Sequence, residues 1–83
     1  MYQIEFTNRA VKNFKKIDPI YQSLIIEKLE NLASNPTNKS NIKALKGSQY
    51  FRLRVADYRI IYELQNNELI ILVIDINHRK DIY

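Results

Sequence analysis

The first strand shows itself as alternation. Tyr2-Gln3-Ile4-Glu5-Phe6 places apolar and polar side chains by turns, which predicts a strand with one buried face. The period then lengthens. Ala10, Val11, Phe14 and Ile17 recur at helical spacing, and Thr7 or Asn8 stands where a helix N-cap is needed. Asp18-Pro19 restarts the helix, because Asp caps and Pro fits the first helical position. Tyr21, Leu24, Ile25, Leu29, Leu32 and Ala33 form the second apolar face, and Asn35-Pro36 ends it. Two helices joined this closely predict an antiparallel hairpin. Phe14 and Tyr21 are expected in the core.

Residues 36–47 are polar and basic, so a loop is expected, pinned by Ile42 and Leu45. Its end carries the chain's one glycine, Gly47, where a positive φ is expected. Tyr50 to Tyr62 then reads as two strands about a tight turn at Ala56-Asp57. Alternation puts Phe51, Leu53 and Val55 on one face and Tyr50, Arg52 and Arg54 on the other. A two-residue turn sets Arg54 opposite Arg59. Like charges so placed repel, so a face that collects them is suited to an anion. Past the turn at Gln65-Asn66-Asn67, Leu69 to Ile74 is apolar throughout, which predicts a central strand covered on both sides.

The predicted fold is α+β in the order β-α-α-β-β-β. A helical hairpin packs on one face of a small, twisted antiparallel sheet, and residues 1–83 form a single domain. The opposite face would show Arg52, Arg54 and Arg59, and the tail beyond the last strand could carry His78, Arg79 and Tyr83 to it.

Charge sharpens this picture. The net charge is +4, and no Asp or Glu occurs between Asn31 and Ala56, a window that holds Lys39, Lys43, Lys46, Arg52 and Arg54. Arg9, Lys12, Lys15 and Lys16 add to the balance from the first helix. Such a distribution fits a nucleic acid or an acidic protein partner. A plainer alternative pairs the strand arginines with Glu63 or Asp75. Without cysteine and with one histidine, the chain has neither a disulfide framework nor a multi-histidine metal site. It contains no run of membrane-spanning length and no secretion signal, so no membrane partner is expected and the expected location is cytoplasmic. For the same reason Asn38-Lys39-Ser40 is not read as a glycosylation site.

Taken together, Ala44-Leu45-Lys46-Gly47, the segment F-R-L-R-V-A-D-Y-R-I-I-Y at 51–62 and the ending H-R-K-D-I-Y at 78–83 resemble the RelE/ParE superfamily of bacterial and archaeal toxins. The ending is more similar to the RelE branch. The resemblance implies a RelE-like fold and a toxin of a type II toxin–antitoxin system. Its activity would be that of an mRNA interferase, a ribosome-dependent, metal-independent endoribonuclease that uses no cofactor. It would cut mRNA in the 30S A site of the 70S ribosome. The ribose 2′-hydroxyl would attack the neighbouring phosphate, leaving a 2′,3′-cyclic phosphate and a 5′-hydroxyl. A cognate RelB-like antitoxin would hold it inactive, and operator DNA would be met only through that complex.

Carried over by motif, the basic catalytic positions fall on Arg52, Arg59 and Arg79, and the C-terminal tyrosine on Tyr83. Arginine suits a phosphate because it stays charged and offers two parallel N–H donors. The best-studied branch has a lysine where this chain has Tyr50. That leaves the general base open, and His78 is the residue type that exchanges protons near neutrality. Arg54, Tyr50, Lys43 and Lys46 are expected to bind RNA or ribosome. The alternative function within the superfamily is a ParE-like inhibitor of DNA gyrase without nuclease activity.

Overall fold

A computed structural model describes residues 2–35 and 41–78. Arg79, Tyr83 and the Asn38-Lys39-Ser40 triplet lie outside these residues. The elements are β1 (Gln3–Phe6), α1 (Asn8–Phe14), α2 (Pro19–Ser34), β2 (Ile42–Ala44), β3 (Tyr50–Val55), β4 (Tyr58–Gln65) and β5 (Ile70–His78).

Each helix begins where its cap lies. Thr7 Oγ1 accepts the Ala10 N–H at 3.1 Å and also donates to the Ile74 carbonyl at 2.7 Å. The Thr7 N–H donates to the Val73 carbonyl at 3.0 Å, so one residue both starts α1 and fastens it to β5. Asp18 caps α2 through the Ile20 N–H, with Pro19 in the first turn.

Among the described residues, five strands form one sheet in the order β1-β5-β4-β3-β2. The helices cover one face. Ala10, Ile17, Ile25 and Leu29 meet Leu53, Val55, Ile60, Tyr62, Ile71, Val73 and Ile76 in a single core. Apolar burial of this kind is the main favourable term in folding. Tyr62 stacks on Phe51 across the β3–β4 ladder, and burial pushes its phenol up to about 12.

The architecture is α+β as expected, with four differences in detail. The basic loop contains β2, which pairs antiparallel with β3. The sheet is mixed, because β1 runs parallel to β5. Parallel pairing needs a long connection, and both helices and three strands lie between β1 and β5. The apolar run is covered by helices on one side: Ile71 and Val73 are fully buried, whereas Ile70 and Leu72 on the other face are half-buried. Tyr21 is exposed rather than core, resting against Tyr58 with ring centroids 5.6 Å apart.

Candidate functional site

The face away from the helices is organised by the β3–β4 hairpin. Its two-residue turn needs a positive φ at the first position, and Ala56 adopts +52° there. An alanine in this region pays about 1 kcal/mol, so the turn is held by the strands that flank it. The register is Val55↔Tyr58, Arg54↔Arg59, Leu53↔Ile60, Arg52↔Ile61, Phe51↔Tyr62 and Tyr50↔Glu63. Tyr50, Arg52, Arg54 and Arg59 therefore share one face, as alternation requires.

The Arg54 N–H donates to the Asn41 carbonyl at 2.9 Å, toward β2 and away from β4. Arg54 and Arg59 are thus a non-hydrogen-bonded pair, the type in which backbones and side chains lie closest. Two arginines thus face each other at a pair position where a sheet would gain from opposite charges.

Arg52 lies one row further along. Its Nε is the single buried side-chain nitrogen or oxygen among the described residues that lacks a hydrogen-bond partner. Leaving such a donor unsatisfied costs about 1–3 kcal/mol, more when it is charged. The alternative carboxylate partners have other ties. Glu63 accepts from Gln49 at 2.9 Å and from Gln65 at 3.2 Å. Asp75 pairs with Arg9 at 3.2 Å and accepts from Asn13 at 2.7 Å and from the Ile76 N–H at 2.9 Å.

Strand β2 adds a cation to this face. Lys43 pairs with Arg52 in register, so β2 brings it beside the arginines rather than leaving it on a loop. Lys46 sits, exposed, in the connection to β3, near the bend where Gly47 takes φ +76°. Asn77, which sequence reasoning missed, lies opposite Arg59. Its placement depends on a register shift between Ile61 and Tyr62, where β5 passes from Asp75 to Val73 and skips Ile74. No sequence signal marks that bulge.

His78 is not brought to the arginine face. It pairs with Tyr58 on the helix side and meets that ring edge-on at 4.9 Å. Arg79 and Tyr83 lie outside the described residues. What the described face offers is fixed positive charge with N–H donors. That is the equipment for holding an anion and stabilising charge as it develops.

Comparison with known proteins places the chain among toxins. Residues 4–83 match the family described as "ParE toxin of type II toxin-antitoxin system, parDE". The chain is 31% identical over 85 residues to a "Putative toxin RelE1" of Methanocaldococcus jannaschii, an alignment that covers 99% of this chain and 94% of that one. It is 22% identical to the "mRNA interferase toxin RelE" of Escherichia coli K12, over 95% of this chain and 84% of the relative. In structure it is similar to the toxin fold in the RelB–RelE antitoxin–toxin complex from Methanococcus jannaschii. There the TM-score is 0.79 at 29% identity, covering 95% of this chain and 94% of the other.

Proposed function

The chain belongs to the RelE/ParE toxins of type II toxin–antitoxin systems, and from that premise we propose that it is an endoribonuclease which cleaves mRNA in the ribosomal A site. The observation that carries this reading is the cationic face: Arg54 set against Arg59, with the buried Nε of Arg52 unpartnered in the next row. A fold that holds such groups together against repulsion is prepared for an anion, and in this reading the anion is the scissile phosphate. The name of the Escherichia coli relative, an mRNA interferase, supports the same substrate.

In this mechanism the 2′-oxygen attacks phosphorus and the bond to the 5′-oxygen breaks. The 2′-hydroxyl proton passes to a base, and the 5′-oxygen receives a proton from an acid. Arg52 and Arg59 stabilise the extra negative charge on the pentacoordinate phosphorus, with Arg79 assigned the same task from the tail. Tyr83 stacks on or orients a nucleotide. Arg54, Lys43, Lys46 and Tyr50 bind the RNA backbone and the ribosome. Tyr50, half-buried on the arginine face, is better placed than His78 to meet the reacting ribose, since His78 faces the helices.

A cytoplasmic RelB-like antitoxin is the proposed partner, after the complex formed by the Methanococcus relative. Acidic segments of such a partner would mask the arginine face by charge complementarity.

The test is induction of the wild type and of an Arg52→Ala/Arg59→Ala variant, followed by primer extension on cellular mRNA. Cleavage within translated codons by the wild type, lost in the variant at unchanged circular dichroism, is the expected result. Intact mRNA under wild-type growth arrest would overturn it. The matching family is described as a ParE toxin, which favours one other reading, gyrase inhibition. A supercoiling assay run in parallel would then show loss of gyrase activity.

A further inference from the structure

His78 and Lys16 are left unused by the arginine face, and the fold gives them a place of their own. A cavity of about 350 Å³ opens between the end of α1 and the ends of β4 and β5. Asn13 and Lys16 line it from the helix side, and Tyr58, Asn77 and His78 from the strands. Ile17 and Ile76, both buried, also line it. The volume falls at the lower end of the range for small-molecule sites, about 300–1,000 Å³.

The chemistry of the lining is specific. Tyr58 stands between Tyr21 and His78, with ring centroids at 5.6 and 4.9 Å, so the aromatic wall is braced from both sides. Asn13 spends its Nδ2 donor on Asp75, which fixes the amide and leaves its oxygen as an acceptor. Lys16 supplies an exposed ammonium, and among the described residues no carboxylate lines the cavity. An aromatic wall, a side-chain amide and a cation are the groups that recognise an unstacked base with its phosphate.

We propose that this cavity is a second nucleotide-binding site, which takes one base and its phosphate from single-stranded RNA. The ring system meets Tyr58 and His78, the base edge meets the Asn13 amide, and the phosphate meets Lys16. The two sites are neighbours through the sheet. Arg59 and Asn77 form one rung of the β4–β5 ladder, and Tyr58 and His78 form the next on the opposite face. A strand held on the arginine face can therefore pass around this end of the sheet into the cavity. The source of the nucleotide rests on the reading of the arginine face as an RNA site; the cavity's preference for nucleotides does not.

The experiment is a titration of the ¹⁵N-labelled Arg52→Ala/Arg59→Ala protein with AMP, UMP and inorganic phosphate, followed by NMR. AMP or UMP is expected to shift the amides of Asn13, Lys16, Tyr58, Asn77 and His78, and phosphate alone to shift Lys16 only. Added His78→Ala should weaken nucleotide binding roughly five- to a hundredfold, the range of one base–aromatic stacking contact. Amides that do not respond to either nucleotide would overturn the proposal. So would an identical response to phosphate alone, or a response to an acidic antitoxin peptide but to neither nucleotide. Ribosomal mRNA cleavage by the wild type is scored separately. Its loss would remove the proposed function and leave the titration result standing.

Discussion

Arg54 and Arg59 face each other across β3 and β4 as a non-hydrogen-bonded pair, the closest arrangement an antiparallel ladder offers. Like charges so placed oppose stability, and the face they share is the one proposed to hold an anion. The two consequences can be separated by mutation.

Arg54→Glu turns the repelling pair into an attracting one. Cross-strand pairs of opposite charge are worth about 0.2–1 kcal/mol, and like charges cost a similar amount. A gain near 1 kcal/mol corresponds to about 4–8 °C in Tm for a domain of this size. The variant should therefore melt higher by calorimetry while binding RNA more weakly. An unchanged or lower Tm would show that the pair carries no repulsion.

Tyr62 gives the protein a defined alkaline limit. Its buried phenol has a folded pKa of about 12, above the ordinary 10, so folding favours the protonated form. That contribution is whole below pH 10. It is lost as pH rises from 10 to 12, because the unfolded chain can release the proton and the folded one cannot. Two pH units correspond to about 2–3 kcal/mol. Urea titrations at pH 9 and pH 11.5 should show this loss in the wild type and a smaller one in Tyr62→Phe.

Thr7 carries two jobs in one hydroxyl, as the cap of α1 and as a donor to the Ile74 carbonyl. Thr7→Ala removes both and should cost about 1–3 kcal/mol. Thr7→Ser keeps the hydroxyl and should recover most of it. Equal denaturation midpoints for Thr7→Ala and the wild type would show that α1 is held by its packing alone.

Much of the fold was legible because local periods are strong. The caps Thr7 and Asp18, the Ala56-Asp57 turn and the shared face of Arg52, Arg54 and Arg59 all follow from spacing within a few residues. Strand β2 was not legible, because three residues, Ile42–Ala44, are too few to show alternation. Lys43 reaches the arginine face only through that strand's pairing with β3.

The ends of the strands divide the two kinds of information most clearly. By itself the sequence determined that an arginine face exists, since period-two alternation and a two-residue turn leave Arg52, Arg54 and Arg59 no other common arrangement. Only the tertiary structure decided what lies beside it. The bulge in β5 sets the phase of Asn77 and His78, and long-range pairing with β4 places the bulge. Asn77 is thereby sent to the arginines. His78 is sent to Tyr58 and the cavity behind them, because a bulge shifts side-chain phase by a residue without leaving a mark in composition.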